Sequence, residues 1–157
     1  MGAMVVDIRI VPFEEAHGRY IAENMRPSDK REMYYLSAMT PASAVVATMA
    51  TAVKSYTALV DDVPALMWGI SRRSFISSVG VPWLLGTPVA EEHQYKFGRE
   101  TLTYFKEMAS LFPVMENYAL AENKRAIRWI KWAGFDIEEP KPYGVFGAEF
   151  VRFGRGL

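Results

Sequence analysis

The chain has 157 residues, with 18 Lys plus Arg balanced by 18 Asp plus Glu, and no cysteine. The absent thiols exclude disulfides, thiolate zinc sites, iron–sulfur clusters and a cysteine nucleophile. His17 and His93 are too few for a multi-His metal centre, and zero net charge argues against nucleic-acid binding driven by counterion release. Half of the residues are hydrophobic and 13% are aromatic, too rich for disorder. A chain of this size buries roughly 68–70% of its unfolded surface, so residues 1–157 are expected to form one domain without staples.

The start, Met1 to Asp7, shows no basic segment leading into a long apolar one, and Gly2 lacks the downstream Ser or Thr of a myristoylation pattern. The stretch 38–53 is too short and too polar to span a bilayer. A soluble, cytoplasmic protein without a membrane partner is the expectation.

In chain order, the β-branched run Val5–Val11 reads as a strand ended by Pro12. Phe13–Met25 carries Ala16, Tyr20, Ile21 and Asn24 at helical spacing, with Pro27 as its stop. Ser28-Asp29-Lys30-Arg31-Glu32 is the polar opening of a second helical patch, Met33–Met39. Thr40-Pro41 is an N-cap followed by Pro at the first helical position. Ala42, Val45, Val46, Met49, Ala52 and Val53 then form a stripe that predicts a buried helix over 42–54. Two apolar runs, Tyr56–Val60 and Ala65–Ile70, flank Asp61-Asp62-Val63-Pro64 and read as a hairpin. Val79–Thr87 is a further strand, interrupted by Pro82 and Gly86.

Glu91–Leu111 reads as one long helix with Tyr95, Leu102, Phe105, Met108, Ala109 and Phe112 inward, and Met115–Leu120 as a strand. Asn123–Ala133 is a short helix with Ala126, Ile127 and Ile130 on one face, and Gly134 occupies the position of a left-handed C-cap. Phe135–Glu138 and Phe146–Phe153 close the chain as strands around a turn at Pro140–Gly144. Strands and helices mixed in this order imply an α/β domain with a helix-covered mixed sheet.

The element order, together with Asn123, Ala126 and the closing Gly134-Phe135, resembles the GCN5-related N-acetyltransferase (GNAT) family. A narrower resemblance, to acetyltransferase-like proteins of tailed, T7-like bacteriophages that are linked to internal virion proteins, is carried by four segments. These are Pro82–Thr87, Asn117, Asn123…Ile127-Arg128-Trp129…Gly134-Phe135 and Gly144–Phe150. The resemblance implies a mostly antiparallel mixed sheet with a splayed parallel pair and helices on both faces. It implies acetyl-CoA as cofactor and an amine of a small molecule or host protein as acceptor, in the host cytoplasm or associated with the virion. An oligomer, or a protein that kept the fold without the chemistry and serves virion assembly or a host interaction, is also open.

Three requirements follow from the resemblance. The pyrophosphate loop would fall on His93–Arg99, with Gln94, Lys96, Phe97, Gly98 and Arg99 as binding candidates. Gln94 and Gly98 stand one residue further apart than the family pattern, and position 100 is Glu, so this stretch reads equally as a solvated first helical turn. Pantetheine would pair with the interrupted strand around Leu84 and Leu85, with Asn123 nearby. Transfer to an amine needs a base and an acid. The Tyr that commonly serves as acid would fall seven residues after Asn123, where this chain has Ile130. Tyr118 or Tyr143 is the substitute candidate, and Glu91, Glu92 and His93 are the candidate bases. Lys124, Arg125, Arg128 and Lys131 read as a solvated face or as contacts for the cofactor's 3′-phosphate.

Overall fold

A computed structural model describes residues 5–157; the reading at Gly2 lies outside the described residues. The elements run β1 (Ile8–Pro12), α1 (Glu15–Glu23), α2 (Pro27–Ser37), α3 (Pro41–Ala50), β2 (Ala52–Val60), β3 (Val63–Arg72) and β4 (Val79–Gly86). They continue with α4 (Pro88–Glu92), α5 (Gln94–Leu111), β5 (Val114–Leu120), α6 (Lys124–Trp132), β6 (Asp136–Ile137), β7 (Lys141–Tyr143) and β8 (Ala148–Arg155). The strands form one sheet in the order β1-β2-β3-β4-β5-β8-β6, with β7 also on β8. Every pairing is antiparallel except β4 with β5. The α/β mixed sheet expected from the sequence is therefore present.

Strand alternation divides the core. Leu66, Trp68 and Ile70 of β3 pack on one face against Phe97, Phe105, Met108 and Phe112 from α5 and its end. Met67 on β3, with Trp83 and Leu85 on β4, packs on the other face against Ile21, Met25 and Val45 from the α1–α3 side. Helices thus cover both faces. No helix among the described residues is long and apolar enough to cross a membrane.

Several elements differ from the sequence reading: β1 runs through Pro12, which pairs with Tyr56 at the sheet edge, and the others differ for local reasons. Pro27 opens α2 rather than ending α1: Arg26 is the extended N-cap, and the missing N–H of Pro costs nothing in a first turn. The helix expected over 42–54 stops at Ala50, because Ala52–Lys54 is drawn into pairing with β3. Its apolar stripe is only partly an inner face: Val45 is buried and Met49 and Ala52 pack against the core, but Val46 is 70% exposed. The long helix from Glu91 is broken at His93, whose φ of −119° interrupts the spiral between α4 and α5. The break resets the helical phase, so Tyr95 is 82% exposed while Phe97 and Thr101 turn inward with Phe105 and Met108. The turn at 140–144 contains β7, and β8 begins at Ala148 because Gly144 and Gly147 adopt positive φ.

The parallel pair positions the site. β4 and β5 are in register only at Val79↔Val114 and Gly80↔Met115, and then diverge. At the base of the divergence Phe112 lies against Gly80, where a Cβ would come within 2.7 Å of its ring.

Candidate functional site

The diverging strands open a cleft of about 660 Å³. Three side chains span it in place of the missing ladder. Just above the last paired residues, Asn117 donates from Nδ2 to the Pro82 carbonyl at 2.7 Å, while its Oδ1 accepts the Tyr118 N–H. At the far end, α2 grips both strands. Asp29 accepts the N–H of Gly86, the last residue of β4, at 2.8 Å, and the Gly86 carbonyl accepts the Arg26 N–H at 2.9 Å. Glu32 accepts the N–H of Leu120, the last residue of β5, at 2.7 Å.

Between these supports lies the backbone of Leu84. The Pro82 carbonyl and the Gly86 N–H both point toward β5, so alternation aims the N–H and C=O of Leu84 the same way. Register with β5 has ended by then, and Leu84 lines the cleft. A strand edge that has left its ladder can pair with a ligand that carries amides of its own.

The cleft gathers several residues expected from the sequence. Leu84, Gln94, Phe97, Gly98, Arg99, Tyr118 and Asn123 line it, as do Ile130 and Glu91. Arg125 and Arg128 line it too, whereas Leu85, Glu92, His93, Lys96, Tyr143, Lys124 and Lys131 do not. Leu85 has the opposite parity to Leu84 and is buried against the α1 side. Glu92 is exposed at the end of α4, and His93, at the α4–α5 junction, sits edge-on to Phe97 at 6.0 Å. Lys96 projects from the outer side of the first turn of α5.

Gly98 lies against Trp129 of α6. A Cβ there would lie 3.1 Å from Trp129 Nε1, which donates to the Gly98 carbonyl at 3.4 Å. Its small size lets α6 approach α5. Asn123 caps α6 by accepting the Ala126 N–H at 3.3 Å. Ile130 is buried with Ala119, Val151 and Phe153, so the position of the expected acid is part of the hydrophobic wall.

Tyr118 stacks on Tyr143 with ring centroids 3.8 Å apart. Burial, and then the neighbouring Tyr143 and Glu116, raise its pKa, so it holds its proton at neutral pH. Glu91 reaches Arg125 on α6 at 3.3 Å.

The carboxylates of Asp29 and Glu32 were hidden in the sequence within the polar opening of α2. Burial is the main cause that pushes Glu32 up to about 7; Asp29 adds to it, while the Leu120 N–H and Arg26 oppose it. Burial also raises Asp29, against the nearby Arg26, whose Nε donates to Asp29 Oδ2 at 2.7 Å. A carboxyl balanced near neutrality inside a cleft is suited to exchanging a proton. The spacing of Asp29 and Glu32 on one helical face was the available signal, but nothing local distinguishes it from a solvated turn.

No family model and no curated protein matches the sequence. Solved structures do. The chain is similar to a GCN5-related N-acetyltransferase from Kribbella flavida, with a TM-score of 0.68 and 16% identity over 96% of this chain and 98% of that one. It is also similar to a GNAT-family acetyltransferase from Streptococcus pneumoniae, with a TM-score of 0.63 and 12% identity over 95% and 98%. A Bacillus subtilis acetyltransferase solved in complex with CoA gives a TM-score of 0.63 and 11% identity over 98% and 99%. The chain has the GNAT fold over nearly its whole length.

Proposed function

We propose that the protein is an N-acetyltransferase that binds acetyl-CoA between β4 and β5 and passes the acetyl group to an amine. One observation carries the reading: the parallel pair opens beyond Gly80, so that Leu84 lines the cleft where its strand has left register with β5. The shared fold supports it, since the Bacillus subtilis protein binds CoA. When bound, the thioester would supply an activated acyl group. The residues present fit such a group. Leu84 offers N–H and C=O to amides, and Arg99 and Arg128 line the cleft as cations for phosphates, beside the first turn of α5. Tyr118 is protonated and can return a proton to a leaving thiolate.

Leu84→Pro tests the cofactor site. The Leu84 N–H points away from β3, as the nitrogen of Pro82 does, so the β3–β4 ladder should survive. Calorimetry should show acetyl-CoA affinity at least tenfold weaker, with an unchanged circular dichroism spectrum. Unchanged affinity would reject the pantetheine role of Leu84. No binding of acetyl-CoA to the unaltered protein at millimolar concentration would reject the reading altogether.

A second reading, a cofactor-binding protein without turnover, is favoured by Ile130, which cannot donate a proton. It predicts binding with no thiol release across a panel of amines. The phage setting, with a host or virion protein as partner, rests on the sequence resemblance over 82–87, 117, 123–135 and 144–150. The exposed Val145 and Phe146, beside Tyr34 and Tyr35, support an oligomer or a protein partner.

A further inference from the structure

Beside the cleft, a second basin of about 420 Å³ opens between α2, the end of β5 and the start of α6. Ser28, Asn123 and Arg125 line both cavities, so the two are continuous on the α2 side. Leu120, whose N–H is held by Glu32, lines the basin as well. The Glu32 carboxylate lines the cleft and is linked to the basin through the Leu120 N–H. One of its oxygens accepts the Leu120 N–H; the other, Oε2, takes no hydrogen bond among the described residues.

The charges of the basin are uneven. Three cations, Arg31, Lys124 and Arg125, line it against one anion, Glu122. Arg31 is tied to Glu122, and Arg125 is shared with Glu91. Lys124 has no ion-pair partner among the described residues. Cations at the rim and a carboxylate at the inner end make a bipolar passage. It favours a ligand that is negative at one end and ammonium at the other, and it disfavours a diamine, whose outer charge would meet Lys124 and Arg125.

Resting on the acetyltransferase reading, we infer that this basin admits the acceptor, a small amino acid-like molecule carrying a primary amine and an oxyanion. Its amine meets Glu32, and its oxyanion lies against Lys124 and Arg125. The acceptor ammonium gives one proton to the Glu32 carboxylate. The freed nitrogen lone pair forms the amide C–N bond as the thioester C–S bond breaks with its electrons on sulfur. The second N–H proton goes to the thiolate, with Tyr118 as its carrier.

The test follows thiol release from acetyl-CoA by the full chain with the common amino acids, their carboxamides, their decarboxylated amines and short diamines. An amino acid should exceed its own carboxamide and amine in kcat/KM by at least tenfold. Lys124→Glu should raise KM for that amino acid about tenfold and lower it for diamines. Glu32→Gln should cut kcat at least a hundredfold with KM little changed, and should remove the ionisation near neutrality from the pH–rate profile. Equal turnover of acids and amides, preference for diamines, or a fully active Glu32→Gln would each overturn the inference.

Calorimetry with CoA on the same samples separates this from failure of the cofactor reading. If CoA binds and no amine is turned over, titration of the amino acids into the CoA-loaded protein decides. Binding that weakens in Lys124→Glu supports the basin, and no binding overturns it.

Discussion

Glu32 changes charge over a window that other carboxylates have already passed. Its ordinary value is 4.5 and its folded value is about 7, so the native state holds a proton that the unfolded chain has lost. The sign follows: the stabilisation is complete below about pH 4.5 and disappears as the pH rises through about 7. Asp29 and Arg26 on α2 and its cap are the charges that act on it, and Glu91 of α4 acts in turn on Asp29. Glu32→Gln should flatten this dependence, gaining on the parent protein between pH 5 and pH 8 in chemical denaturation. The parent's kcat should rise through pH 7 as the base ionises. Residues whose role is local were legible: Asn123 as a cap, Gly134 at positive φ, and Pro82 on a strand that splays from β5, although that strand runs unbroken along β3. Glu32 was not, because its meaning depends on Leu120, 88 residues further on.

Among the elements, α6 shows how a short helix is specified. Nine residues make a marginal helix, so its cap and its apolar face matter more than propensity. Asn123→Ala should cost about 1 kcal/mol in denaturant unfolding, since the Ala126 N–H loses its acceptor. Ile130 anchors the buried face, and Trp129 reaches α5 through the space that Gly98 leaves. The sequence reading found this helix because cap, stripe and terminal glycine agree. It ran α4 into α5 and α3 into β2 because periodicity carries no mark of a one-residue break at His93, or of a partner strand waiting at Ser71. Glu92 and His93 flank that break and are not among the residues that line the cleft. Tyr118 kept its place because β5 was read correctly.

At the scale of the molecule, the sheet opens where the strand direction changes from antiparallel to parallel. The order of elements was sufficient to expect that opening, since a long helical crossover joins β4 to β5. What holds its far end could not be expected, because α2 precedes both strands by more than 40 residues of intervening chain. The opening is reached from both sides of the molecule. Glu32 and the basin lie on the α2 side, Phe105 and Trp129 on the α5–α6 side, and all but the basin's outer rim line one cleft.

The grip of α2 on Gly86 and Leu120 turns the opening from a notch into an eyelet. Its perimeter is closed below by the Asn117–Pro82 bond and above by the helix, and the hole runs for the length of β4 from Pro82 to Gly86, roughly 13 Å at ~3.3 Å per residue. Two reactants brought to such a hole have separate doors and a single meeting point. Neither has to leave before the other arrives, and neither bars the other's way. Initial rates measured with both reactants varied should therefore give intersecting double-reciprocal lines, and each product should compete only with the reactant that uses its own door. Parallel lines would mean that the eyelet serves one visitor at a time.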